Sequence, residues 1–116
     1  HWPTPVVHRR IGDIADRGPV MITIEYEIDA GGEGDFLSAI YKLSGQRYRD
    51  GAYQWNVFQD AETPGRWVET FLVSSWVEHL RQHERATQHD KQIQDAVNAF
   101  HVGPTRPRVR HWLAPA

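Results

Sequence analysis

Two histidines are the side chains in this sequence best spaced for metal chemistry. His79 and His83 stand four residues apart, so a helix would project both imidazoles from one face about 6 Å apart, a spacing that can chelate a divalent cation. A zinc site needs two further ligands, and the sequence contains neither a cysteine nor an HExxH string. We therefore favour a structural or surface role for this pair and predict no metal site.

A row of arginines near the end of the chain is the second candidate cluster. Arg106, Arg108 and Arg110 alternate in the sequence, so a strand would place all three on one face, where guanidinium groups can bind a carboxylate or a phosphate. The alternative is structural, because Glu25 and Glu27 of the first predicted strand would form ion pairs with them across neighbouring strands. We favour the ion pairs.

The five tryptophans are also candidates for a role in oxidation chemistry. One Trp side chain buries on the order of 200 Å², so most of the five are expected to be anchors of the core or of a dimer interface. Trp55 and Trp76 remain candidates for lining a cavity.

The composition limits the classes of function. The chain has 116 residues, which suits a single domain. Its 13 basic and 15 acidic residues give a net charge of -2, so we predict no nucleic-acid partner. No apolar run approaches the roughly 18 residues that span a bilayer. Since the chain begins at His1 rather than at Met, we interpret it as a processed product or as an excised, soluble part of something longer.

Hydrophobic periodicity predicts six regular elements. The first strand has the cleanest alternation of apolar and polar residues. The second helix is expected to be interrupted near Thr87, whose hydroxyl can form a second cap together with Asp90. In chain order, the predicted elements are a strand at 19–28, a helix at about 33–48, strands at 52–60 and 66–75, a helix from 76 and a strand at 107–114.

This order of elements predicts an α+β fold of the ferredoxin-like type, βαββαβ. Right-handed crossovers leave one arrangement, an antiparallel four-stranded sheet with strand order 4-1-3-2 and both helices on one face. Residues 1–18 are predicted to be an extended arm or linker, and residues 19–116 the domain.

The sheet face without helices is predicted to pair with a second copy of the chain. Large apolar residues alternate on both faces of strands 2 and 3, with Tyr53, Trp55 and Val57 expected on one face of strand 2, and Asn56 and Phe58 on the other. Each large apolar side chain left in water forgoes about 1.5–3 kcal/mol. A homodimer through this face would cover them across a two-fold axis, around a partly polar cavity that could take a small molecule.

The sequence also resembles a known family. The stretches DRGPVMITIEYEID (16–29), RDGAYQWNVFQDAETPGRWVETFLVSSWVEHLRQHERAT (49–87) and HVGPTRPRVRHWLA (101–114) resemble the cytoplasmic C-terminal domain of bacterial major facilitator superfamily exporters of the transmembrane secretion effector, or enterobactin-exporter-like, type. The opening HWPTPVV (1–7) looks like the segment that leads out of their membrane part. The resemblance implies a location on the cytoplasmic side of the bacterial cell membrane, with contact to the membrane only through the absent transporter part.

Such tails are in turn similar to dimeric α+β barrels of the antibiotic-biosynthesis monooxygenase type, through SSWVEHLRQHERAT (74–87), where Trp76 and His83 match. Those relatives include oxygenases without a metal and haem-degrading enzymes in which a helical His binds iron. Their Asn on the first strand has no counterpart here, and Asn56 is the only Asn on a predicted strand. The resemblance therefore implies His83, Trp76 and Asn56 as the candidate catalytic residues.

We therefore predict a non-enzymatic module that pairs two exporter chains or senses a small ligand, and no cofactor. The alternative is a cofactor-independent or haem-binding monooxygenase. The residues predicted to line the ligand cavity are Trp55, Trp76, His83, Arg108 and Arg110.

Overall fold

A four-stranded antiparallel sheet forms the centre of the protein. The computed structural model describes residues 5–14, 17–84 and 87–115, with only the backbone of His83. The strand order is β2-β3-β1-β4, which confirms the predicted order 4-1-3-2 read from the other edge. The elements are β1 (Val20–Glu27), a short 3-10 turn (Ala30–Gly32), α1 (Glu33–Arg49), β2 (Tyr53–Gln59), β3 (Arg66–Val73), α2 (Trp76–Glu84), α3 (Gln88–Asn98) and β4 (Arg108–Leu113).

The core lies between one face of the sheet and the helices. Alternate residues of β1, from Val20 to Tyr26, are buried on this face, as the sequence pattern predicts. Phe36 of α1 is fully buried and packs against Tyr26, Trp67 and Phe100, with ring centroids 5.4, 5.9 and 6.5 Å away. These aromatic contacts join the sheet to α1 and to the segment after α3.

The second helical region is two helices. Thr87 caps α3, because its hydroxyl accepts the N–H of Asp90 at 3.1 Å while the Asp90 carboxylate accepts the N–H of Thr87 at 3.0 Å. This capping box confirms the predicted interruption. Among the described helices, none is long and apolar enough to cross a membrane.

A β-bulge changes which side of the sheet the aromatic residues of β2 occupy. The pairing of β2 with β3 shifts between Tyr53 and Asn56, and Gln54 has a φ of 50°. The extra residue places Tyr53 on the side away from the helices, together with Asn56 and Phe58, whereas Trp55 points to the helices. The prediction that Tyr53 shares a face with Trp55 is therefore wrong, because strict alternation does not hold across the bulge.

Candidate functional site

A carboxylate lies fully buried between the sheet and the helices. Glu69 of β3 has no exposed side-chain surface, and Arg47 of α1 donates from Nε to its Oε2 at 2.9 Å and from Nη2 to its Oε1 at 3.1 Å. The hydroxyl of Tyr26 donates to Oε1 at 3.1 Å, and the indole N–H of Trp55 donates to Oε2 at 2.8 Å. Each carboxylate oxygen thus accepts two hydrogen bonds, which offsets the cost of burying the charge.

Arg47 extends this cluster to the third helix. Its Nη2 also donates to Oε1 of Gln94 at 2.8 Å, and the Gln94 amide donates to Oδ1 of Asn98 at 3.0 Å. Its guanidinium carbon lies 4.9 Å from the centroid of the Phe71 ring, on which it stacks. Because these bonds hold α1, α3 and the sheet together, we interpret the cluster around Glu69 as structural.

Tyr26 and Arg47 keep their charge states across the physiological pH range. Burial, reinforced by the neighbouring Glu69 carboxylate, raises the pKa of the Tyr26 phenol well above its ordinary value. Burial alone would lower the pKa of Arg47, but the adjacent Glu69 carboxylate raises it above its usual value. Tyr26 therefore stays a hydrogen-bond donor, and Arg47 stays a cation.

We expect the substitution Tyr26→Phe to change how stability depends on alkaline pH. Because the folded pKa of Tyr26 lies above the unfolded value of about 10, its contribution is present below that pH and is lost at up to about 1.4 kcal/mol per pH unit above it. The variant should be about 1 kcal/mol less stable at pH 7, for want of the bond to Glu69, but should lack this alkaline loss. Urea unfolding from pH 7 to 11 measures both effects.

The matched control for that substitution is Tyr48→Phe, because the Tyr48 side chain is 50% exposed. It should follow the original protein across the whole pH range. If Tyr26→Phe instead ran parallel to the original protein above pH 10, burial of the Tyr26 hydroxyl would be wrong.

Three rings meet where α2 begins, beside the edge strand β4. The centroids of His79 and His111 are 4.7 Å apart, and the Trp76 ring lies 5.5 Å from His79 and 5.7 Å from His111. Trp76 and His79 are both buried. Within the described part of the chain, no three His, Asp or Glu side chains are grouped closely enough to hold a metal ion. The three rings pack against one another at tilted and edge-to-face angles of 54° to 69°.

A cleft opens next to these rings, between the edge of β4 and residues 5–14, which we name the arm. It has a volume of about 450 Å³. Its apolar lining includes Trp76, Val7 and Ile14, and β4 contributes the continuous stretch Arg108–Leu113. We refer to it as the arm cleft.

The sheet side away from the helices, the open face, carries exposed apolar side chains on β1, β2 and β4. Phe58 and Trp112 are 53% and 49% exposed, and Tyr53 and Met21 are 39% and 36% exposed. Two half-buried residues of β3 lie between them. Val68 pairs with Phe58, and Leu72 pairs with Met21 on one side and with Tyr53 on the other.

Polar side chains of β1 and β4 bond to each other across the open face. Arg110 forms an ion pair of 3.1 Å with Glu25, and the Trp112 indole donates to the Thr23 hydroxyl at 3.0 Å. The ion pair is the cross-strand contact predicted for this arginine. Arg106 lies before the start of β4, so it does not belong to the alternating set.

The structure separates the candidate catalytic residues. Asn56 is exposed on the open face of β2, whereas Trp76 lies on the helix side next to β4. These strands are opposite edges of the sheet, three strand spacings or about 14 Å apart. The side chain of His83 lies outside the described residues. A single chain therefore does not bring Asn56 and Trp76 to a common site.

The residues predicted to line one cavity lie in different places in the structure. Trp76, Arg108 and Arg110 all line the arm cleft. Trp55 is buried elsewhere, where its indole is bonded to Glu69. Residues 1–4 of the predicted arm or linker lie outside the described residues.

Sequence reasoning missed the buried ion pair, although a signal for it exists. Every second residue of β3 is buried, and Glu69 stands in this series where Trp67, Phe71 and Val73 would lead one to expect another apolar residue. Arg47 follows the buried Leu43 by one helical turn. A carboxylate and a guanidinium that interrupt two apolar faces in this way are candidates for pairing with each other.

Comparison of the sequence with known proteins identifies a family, and comparison of the structure identifies a fold. The sequence model of the family described as "Transmembrane secretion effector" matches residues 1–116. A search of curated proteins finds no match.

Solved structures with the same fold share little sequence with this chain. The "putative antibiotic biosynthesis monooxygenase" of Bordetella bronchiseptica superposes with a TM-score of 0.71 at 16% identity, over 86% of this chain and 100% of that one. A protein of the same description from Caulobacter crescentus CB15 gives 0.72 at 12% identity, over 88% and 94%. A conserved protein from Methanosarcina mazei Go1 gives 0.68 at 10% identity, over 84% and 93%. These likenesses confirm the ferredoxin-like α+β fold.

Proposed function

The chain belongs to the transmembrane secretion effector family, and we propose that it is a non-catalytic pairing domain. Two copies dock through their open faces and so join two chains of a bacterial major facilitator superfamily exporter, of which this domain is the cytoplasmic C-terminal part. The arm leads from the membrane part to the domain. Transport belongs to that membrane part.

The open face is the observation that carries this proposal. Phe58, Val68 and Leu72 form an apolar patch on adjacent strands, and the Phe58 side chain is 53% exposed. A patch of this kind meets its own copy when a two-fold axis passes through it, and two sheets then pack about 10 Å apart. Since covering each large side chain contributes about 1.5–3 kcal/mol, pairing is favoured.

We expect the chain to sediment as a particle of twice its 13.4 kDa, and Phe58→Lys to convert it to a folded monomer. Pairing of the open faces would bury each introduced ammonium group on apolar surface, so we expect the dimer to dissociate at least about 100-fold more readily. Sedimentation velocity across a concentration series measures this, and circular dichroism checks the fold.

The matched control is Tyr48→Lys, which places the same charge on an equally exposed aromatic position of α1, away from the open face. It should leave the dimer intact. A monomer at all concentrations of the original chain would refute the pairing role, as would an unchanged dimer of Phe58→Lys.

A monooxygenase is the second candidate function. It is favoured by one observation, that Trp76 lines a cleft of about 450 Å³, in a fold shared with proteins that carry that description. The separation of Asn56 from Trp76 speaks against it. Oxygen-dependent turnover of haem or of a polyphenolic quinol, abolished by Trp76→Phe, would establish the enzyme in place of the pairing domain.

A further inference from the structure

The arm cleft has the size and the apolar lining of a site for a small molecule. Its volume of about 450 Å³ lies within the range of about 300–1,000 Å³ that is usual for ligand sites. The rings of Trp76 and His111 lie together on one side of it, 5.7 Å apart, and the arm supplies Val7 and Ile14. A flat apolar body fits between such walls.

The charged residues that line the arm cleft are all basic. Arg108, Arg110 and two histidines line it, and none of its described lining residues is Asp or Glu. Arg110 already pairs with Glu25 at 3.1 Å. Arg108 is exposed and takes part in no ion pair among the described residues. A guanidinium in this situation is suited to a carboxylate or a similar planar anion.

The edge of β4 adds uncharged polar groups. The N–H of Ala114 donates to the carbonyl of Pro19 at 3.1 Å. In an antiparallel pair every second residue bonds to the neighbouring strand, so Trp112, two positions before Ala114, is one of the β4 residues whose backbone bonds to β1. Val109 and Leu113 alternate with them, and their N–H and C=O groups therefore point outward, toward the cleft that both residues line. These groups can bind further oxygen atoms of a ligand.

From these three features we propose that the arm cleft binds a small amphipathic anion, with a planar apolar body against Trp76 and an anionic group at Arg108. One wall of the site is formed by the arm. A ligand that bridges the arm and β4 holds the arm against the domain. Trp76 and His111 lie on the helix side of β4 and Arg108 lies on its open-face side, so the site spans the edge of the sheet.

The test uses 2-naphthoate as a probe, with the uncharged 2-naphthalenemethanol for comparison. Isothermal titration should give one site per chain, and amide NMR shifts should appear at Val7, Val109 and Leu113. Since a charge-assisted hydrogen bond is lost, we expect 2-naphthoate to bind about tenfold more weakly to Arg108→Gln. The uncharged probe should bind weakly to both proteins and be insensitive to the substitution.

Arg81→Gln is the matched control, because Arg81 is 65% exposed on α2 and lies outside the cleft. It should bind 2-naphthoate like the original protein. Binding that persists in Phe58→Lys supports the site whether or not the chain dimerises. Equal affinity for both probes, shifts confined to β2 and β3, or no effect of Arg108→Gln would each overturn the proposal.

Discussion

Replacing Arg47 by Met should lower the free energy of unfolding by about 3–5 kcal/mol, because it leaves the buried Glu69 carboxylate without its counter-charge. Met has nearly the length of the Arg stem, so the loss comes mainly from charge and hydrogen bonds rather than from packing. Urea unfolding at pH 7 and at one fixed protein concentration measures the change.

A second substitution separates charge from general disruption. Arg47→Met combined with Glu69→Gln removes both charges while the Gln carbonyl still accepts a hydrogen bond from Trp55. We expect the double variant to be more stable than Arg47→Met alone by about 2 kcal/mol. Arg49→Met, at an exposed position of the same helix, should change stability by less than about 0.5 kcal/mol. Strictly additive effects of Arg47→Met and Glu69→Gln would contradict the pairing of these charges.

The second large effect is expected from Gly18→Ala. A Cβ atom at Gly18 would lie 1.9 Å from the carbonyl oxygen of Ser74 and 3.0 Å from Cα of Ser75. Both contacts are backbone, at the junction of β3 and α2, so no side-chain rotation relieves them. The neighbouring carbonyl of Arg17 accepts the N–H of Trp76 at 3.0 Å, so relief of the clash also displaces the start of α2. We expect a loss of about 3 kcal/mol or more.

Gly34→Ala is the control for that experiment, since beyond the neighbouring residues and the backbone of its own helix no described atom lies within 4 Å of a Cβ built at Gly34. This residue is in the first turn of α1, where Ala should leave stability unchanged or raise it by up to about 1 kcal/mol. Thermal unfolding measures both variants. Equal stability of Gly18→Ala and the original protein would mean that the approach of Gly18 to Ser74 is wrong.

The sheet order and most of the elements could be predicted from the sequence, because local periodicity and chain connectivity determine them. The residues of β1 alternate without interruption, and Thr87 with Asp90 marks the break between α2 and α3 by side-chain hydrogen bonding alone. Right-handed crossovers then left a single strand order, which the structure has.

The surroundings of the candidate residues could not be predicted, because they depend on register and on the path of the arm. No glycine or proline within β2 marks the bulge at Gln54 in the sequence. The bulge nevertheless places Tyr53 on the open face and Trp55 beside Glu69. The arm cleft exists because residues distant in the chain approach β4. No local pattern around Trp76 contains that information.

The ion pair under α1 also selects the alignment of the central strands. Apolar side chains occur on both sides of β3, with Trp67 and Phe71 inward, and Val68 and Leu72 outward, so hydrophobicity alone would tolerate a strand slipped by one residue. Such a slip would rotate Glu69 out to the solvent side and leave the Arg47 guanidinium beneath its helix with nothing to neutralise it. A single buried carboxylate thus disfavours misaligned strand pairings that an entirely apolar strand would tolerate.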